Sequence, residues 1–370
     1  MDLKHIHKTL YISVIVLLLI SCSSNQASNT VSPDNLTIDL PKIDCANKIE
    51  AYILASDTVS DEGIDLITKW VCVAERLFFD KPSTNWEIVN PIYIAVLDRN
   101  NLESAMQLEK IWCDHIKKYH NSGKGNNGYD NGKCNSKQRG CNFGLCLFTQ
   151  KEGRVTGSSI SSNSKRDGFN LFISNSHDLP EHSDSYGYVT LHEMFHIYQY
   201  SNLTKDRSYK DEKKIAGKLG TGSDPNVDVP WWVEGNAVFF SYYYYAKEMQ
   251  DREYFIDKME SSLWAEWQGV LIDKYLKSEK TINEFTWNGE EKKIGYEIGA
   301  WFTAYLIDKV GEEKIHKFYS NLEAEGDFEI AFKKYFGIDY KYAVNDFDLF
   351  LRKPKTEIMS LLNRIYPQPK

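Results

Sequence analysis

The stretch 184–200, Asp-Ser-Tyr-Gly-Tyr-Val-Thr-Leu-His-Glu-Met-Phe-His-Ile-Tyr-Gln-Tyr, constrains the fold more than any other part of the chain. At its centre His192 and His196 stand four residues apart. Positions four apart share one face of an α-helix, so the two imidazoles can aim at a single point. Leu191, Met194, Phe195 and Tyr198 put apolar bulk beside them, which predicts a largely buried helix rather than a surface helix with two solvated rings. Buried imidazoles and a carboxylate need a partner, and a zinc ion suits them. Glu193 lies roughly 100° further around the helix, where it can act as a base on a water at the metal without being a ligand.

A third ligand is expected downstream. Residues 230–237, Pro-Trp-Trp-Val-Glu-Gly-Asn-Ala, open an aromatic run that continues to Tyr245. Proline suits the start of a helix. Within this apolar segment Glu234 is the residue whose burial is expensive unless a cation is close. It could instead cap a backbone or pair with an arginine. With His192 and His196 it makes a His, His, Glu set that leaves a fourth tetrahedral position open, as catalytic rather than structural zinc sites do.

With 370 residues, 42 % of them hydrophobic and 14 % aromatic, the chain has ample material for a core and is not disordered. Its formal net charge of −8 gives no reason to expect nucleic acid as a partner.

Residues 1–22 read as an export signal: Lys4 and Lys8, an apolar run at 10–20, then Leu19-Ile20-Ser21-Cys22. The run is shorter than the roughly 20 residues a membrane span needs, which favours a cleaved signal over a transmembrane anchor. The ending resembles the bacterial lipoprotein box, which implies lipid on Cys22 as the first mature residue. Ser23 after it resembles the pattern sent to the outer membrane. Residues 23–40, rich in Ser, Asn and Thr, read as a flexible tether.

Of the seven cysteines, Cys45, Cys72, Cys113, Cys134, Cys141 and Cys146 then remain. In an exported chain they predict up to three disulfides in any of fifteen connectivities. A zinc knuckle from Cys134, Cys141 and Cys146 competes, although the spacing fits no ribbon pattern well.

Residues 64–79 show helical periodicity, 91–97 have the β-branched content of a strand, and 102–119 return to helix. Residues 120–140 read as a long exposed loop, 143–149 and 168–173 as strands. The second strand is either an ordinary core strand or an edge able to take up an extended peptide. Residues 205–228 look like an excursion or lid. Helical periodicity then covers 254–276, 294–310, 314–322, 327–335, 340–351 and 356–365, with breaks at Gly311 and Gly337.

His192-Glu193-x-x-His196 followed by Trp231-x-x-Glu234-Gly235-x-Ala237 resembles the gluzincin metallopeptidases, and Tyr296-Glu297-Ile298-Gly299 looks like the Tyr-x-x-Gly helix of their aminopeptidase branch. The resemblance covers about residues 168–350. It implies one zinc held by His192, His196 and Glu234, Glu193 as general base, and Tyr296 steadying the oxyanion. The Gly-x-Met-Glu-Asn segment that holds a free substrate amine in the aminopeptidases is absent, and 37 residues separate His196 from Glu234, more than in those enzymes.

The expectation is therefore an α+β body over 41–370: a small N-terminal mixed-sheet part at about 41–180, a zinc helix at about 184–202, and a mainly helical part at about 229–366. The expected activity is a zinc-dependent peptide-bond hydrolase, an endopeptidase, acting on peptide or protein and tethered to the bacterial envelope membrane through lipid on Cys22. The alternative is a non-catalytic, zinc-containing peptide-binding or scaffold lipoprotein.

Overall fold

A computed structural model describes residues 40–45, 49–79, 91–98, 101–121, 169–175, 183–201, 231–266, 269–285 and 289–368. The export signal, the tether up to residue 39, the strand expected at 143–149, the excursion at 205–228, and Cys134, Cys141 and Cys146 lie outside these residues.

Among the described residues four strands form one mixed sheet in the order β1 (Lys42–Ile43), β2 (Ala51–Ala55), β3 (Ile92–Asp98), β4 (Phe169–Asn175). β1 runs antiparallel to β2, with Lys42 opposite Tyr52. The other pairs are parallel, with Ala51 beside Ile92 and Ile92 beside Phe169. Every residue of β3 is buried. Ile92, Ile94 and Val96 face the main core, while Tyr93, Ala95 and Leu97 pack with Ala105, Leu108 and Trp112 on the opposite face. A strand covered on both sides carries apolar residues in both alternating sets, which is why 91–97 shows no in–out alternation. Leu40, the last residue of the stretch read as a tether, is buried.

The α-helices among the described residues are α1 (Asp61–Ala74), α2 (Leu102–Asn121), α3 (Ser183–Ser201), α4 (Val233–Met249), α5 (Arg252–Trp264), α6 (Leu271–Lys277), α7 (Gly289–Val310), α8 (Glu312–Glu325), α9 (Phe328–Phe336), α10 (Tyr340–Leu351) and α11 (Lys355–Ile365). Ser60 caps α1, its hydroxyl accepting from the Gly63 N–H at 3.2 Å. A π-helical turn, Glu75–Phe79, prolongs α1 and seats Phe78 against Phe195 of α3, ring centroids 5.2 Å apart. Cys45 and Cys72 form a disulfide that ties the end of β1 to α1. Closing that 27-residue separation stabilises the fold by about 3.5 kcal/mol on the chain-entropy estimate. Cys113 is disulfide-bonded as well.

Two expectations shift. His120 and Asn121, read as the start of a loop, are the last residues of α2. The single helix expected over 254–276 is two, α5 and α6: Gly269 and Val270 adopt left-handed φ of 72° and 44°. The reversal lets Leu263 on one side and Leu271, Ile272 and Tyr275 on the other all enter the core, an outcome that tertiary burial decides over local periodicity. Gly311 and Gly337 do break the chain, at φ 84° and 78°. The fold is α+β: mostly helical, with a small mixed sheet. No helix among the described residues is long and apolar enough to cross a membrane.

Three of these helices, α3, α4 and α7, pack side by side. Moving back along α3 and forward along α4, His192 meets Glu234 and Tyr188 meets Tyr242, so the two helices run antiparallel. α7 is antiparallel to α4 in the same way, since Gly299 lies on Gly235 and Phe302 on Trp231.

Candidate metal centre

α3 is held by its apolar side chains. Leu191, Met194, Phe195, Ile197 and Tyr198 are fully buried, which fixes the rotation of the helix and turns His192, Glu193 and His196 toward α4. The two imidazole Nε2 atoms stand 3.1 Å apart.

α4 brings the third group. Trp231 and Trp232, just before it, are buried in an aromatic nest; Trp232 lies 5.2 Å from Phe318 and 5.5 Å from Phe332 between ring centroids. This anchors the start of α4 and places Glu234 in its first turn, where the helix dipole favours an anion. Glu234 Oε2 sits 3.2 Å from His192 Nε2 and 3.0 Å from His196 Nε2. Among the described residues His192, His196 and Glu234 form a group that could hold a metal ion.

Two donor-capable nitrogens and one oxygen at such distances need a shared cation or proton at their centre. Without a metal the proton falls to His196. Burial works against its charge, but the negative charge of Glu234 and their hydrogen bond, with further help from Glu193 and Gln199, raise it to about 9. Burial pushes Glu234 the other way, yet the two histidines hold it well below the carboxylate range. Metal and proton therefore compete for one set of lone pairs.

Gln199 settles which nitrogen of His196 faces the centre, and the sequence reading did not single it out. It is fully buried, and its Oε1 lies 2.8 Å from His196 Nδ1. Its Nε2 donates to the Val233 carbonyl at 3.1 Å and to the Tyr319 hydroxyl at 2.9 Å. With the amide nitrogen thus engaged, Oε1 can only accept, so Nδ1 carries the hydrogen and Nε2 presents its lone pair. The i, i+3 spacing from His196 was the available clue.

Glu193 is buried, with Oε1 4.0 Å from His192 Nε2, outside the ligand triangle but beside it. Tyr296 arrives through close helix packing. A Cβ at Gly235 would overlap the backbone of Gly299, and one at Gly299 would overlap the Trp231 carbonyl, so α4 and α7 meet backbone to backbone. That contact sets the Tyr296 ring nearly parallel to His192, centroids 6.5 Å apart, with its phenol hydrogen-bonded to Glu234. Burial first, then Glu234 and Glu193, raise the phenol far above its ordinary value, so it stays a donor.

All five residues picked from the sequence thus lie around one point, supplied by three helices. Compared with known proteins, the chain matches no family model, no curated protein and no solved structure.

Proposed function

We propose that the chain is a zinc-dependent peptide-bond hydrolase of gluzincin type, an endopeptidase tethered to the bacterial envelope by lipid on Cys22. The observation that carries this is the convergence of His192, His196 and Glu234, with edges of 3.0, 3.1 and 3.2 Å between the three facing atoms. Donors around a tetrahedral zinc at 2.0–2.1 Å lie about 3.3 Å from one another, so the triangle fits the ion with little movement. Structural zinc takes four protein ligands; three with a neighbouring free carboxylate suit catalysis better.

When bound, zinc supplies Lewis acidity and eases deprotonation of water. Gln199 keeps the His196 Nε2 lone pair on the metal side, and Glu234 balances the charge. Glu193 takes the proton from the attacking water and returns it to the leaving amine. The Tyr296 phenol leaves Glu234 for the carbonyl oxygen of the substrate as negative charge grows there, a contribution of about 3 kcal/mol in comparable sites.

The test is metal analysis of purified protein joined to digestion of a peptide library with and without chelator. Expected are one zinc per chain, cleavage that stops on chelation and returns with zinc, and loss of cleavage in Glu193→Gln with zinc retained. A full zinc complement with no cleavage of any peptide would favour the binding or scaffold alternative.

A further inference from the structure

On α8, packed against α3, stands a histidine that the proposed hydrolysis does not use. His316 is 1 % exposed and lies among the rings of Phe240 and Tyr198, at 5.3 and 5.6 Å between centroids. Leucine or phenylalanine would serve for packing alone. Both nitrogens of His316, however, face hydroxyls of other helices: Nδ1 lies 3.2 Å from Tyr198 of α3, and Nε2 lies 3.2 Å from Tyr244 of α4.

On the α4 side the hydrogens can be assigned. Tyr244 donates to Glu312 Oε1, and burial together with that carboxylate raises its phenol well above the ordinary value, so the phenol keeps its hydrogen. A phenol has one hydrogen to give. His316 Nε2 therefore faces two acceptors, the Tyr244 oxygen and, at 3.5 Å, Glu312 Oε1, and itself carries a hydrogen. The other oxygen of Glu312 is 3.9 Å from Lys247 Nζ of α4. His316 thus ties α8 to α3 and α4 at once.

What this tie holds lies one turn further along α8. Tyr319 is fully buried there, and its hydroxyl accepts from Gln199 Nε2 at 2.9 Å. Tyr198 and Gln199 are neighbours in the chain, so His316 and Tyr319 grip the same turn of α3, directly after His196. Were α8 to draw back, the Gln199 amide nitrogen would lose Tyr319 and keep only the Val233 carbonyl as acceptor. The amide would then be free to turn and offer N–H instead of Oε1 to His196 Nδ1. In that state Nδ1 accepts and Nε2 carries the hydrogen, which leaves no lone pair for a metal.

We propose that His316 is a positioning residue of the metal centre: by holding α8 on α3 and α4 it keeps Tyr319 on Gln199, and through Gln199 it keeps the His196 Nε2 lone pair on the metal side. This rests on the metal centre of the hydrolase reading and adds a residue, remote from the ion, that sets how tightly zinc is held.

The experiment is the zinc affinity of the full chain, by competition with a chromogenic chelator, for the parent, His316→Leu, Gln199→Met and the double variant. His316→Leu keeps apolar volume in the core and removes both polar contacts, and it is expected to bind zinc about tenfold more weakly than the parent. On the Gln199→Met background no amide is left to orient, so the same change is expected to weaken binding by less than about twofold. Zinc affinity of His316→Leu within about twofold of the parent overturns the proposal, since the ring then only fills the core. So does a loss that recurs in full on the Gln199→Met background. Should His316→Leu fail to fold, Tyr244→Phe, which removes one hydroxyl and keeps its ring, takes its place in the cycle and is read in the same way. A parent that shows this coupling yet cleaves no peptide upholds the role of His316 and refutes the hydrolase reading alone.

Discussion

Replacing Gln199 by methionine separates a residue that orients the metal centre from one that merely fills the core. The side chain is fully buried and makes three hydrogen bonds, to His196 Nδ1, the Val233 carbonyl and the Tyr319 hydroxyl, at 2.8, 3.1 and 2.9 Å. Methionine matches its length and volume, so the packing change is small and the loss is polar. At about 1 kcal/mol per net hydrogen bond the metal-free protein should lose about 3 kcal/mol, and more if the orphaned groups find no other partners. The His196 ring would also lose what holds its tautomer and plane, and comparable changes weaken metal binding by about 10- to 100-fold. Urea unfolding of the metal-free protein reads the first quantity, and competition with a chromogenic zinc chelator the second. Gln199→Glu is the control: it keeps an acceptor for His196 while losing the donor to Val233, so stability should fall but zinc affinity should not. If Gln199→Met lowers stability and leaves zinc affinity within about twofold of the parent, Gln199 serves the core alone and its orienting role is refuted.

The same geometry predicts other outcomes. Gly299→Ala forces α7 off the Trp231 carbonyl, at a cost of about 1–3 kcal/mol, and draws Tyr296 away from Glu234; zinc should still bind while peptide cleavage falls, and unchanged cleavage would contradict the close-packing account. Tyr296→Phe should retain zinc and fold stability but lower kcat about 100-fold, which steady-state kinetics would show. Glu297, whose carboxyl is raised from 4.5 to about 7, favours the folded state only while protonated, so its contribution is full below its ordinary value and is lost as pH rises through about 7. Glu297→Gln should therefore stabilise the metal-free protein at about pH 8, by at most about 3 kcal/mol, and change little near pH 4; equal effects at both pH values, by urea unfolding, would count against a carboxyl raised by burial.

The parts of this protein legible in its sequence are those governed by the backbone repeat. Four residues make nearly one helical turn, so His192 and His196 had to share a face of α3, and the apolar residues around them had to bury it. The apolar run in β3 and the helix ends at Gly311 and Gly337 were readable for the same reason, since each depends on a few neighbouring residues. The break between α5 and α6 was not, because a continuous helix satisfied the local pattern and only the burial of Leu271, Ile272 and Tyr275 favours the turn.

Glu234 and Tyr296 could be named from the sequence, but their meeting with the histidines could not be deduced from it. It depends on Trp231 and Trp232 anchoring α4, and on two glycines 64 positions apart letting α4 and α7 touch. Nothing local marks Gly235 and Gly299 as partners. Gln199 and Glu297 are more extreme cases, one defined by three hydrogen bonds and the other by an enclosed oxygen, Oε2, with none among the described residues. Periodicity along the chain decided which side chains could point the same way. Contacts between distant helices decided which of them share a site, because burial and the pairing of polar atoms are properties of the packed whole.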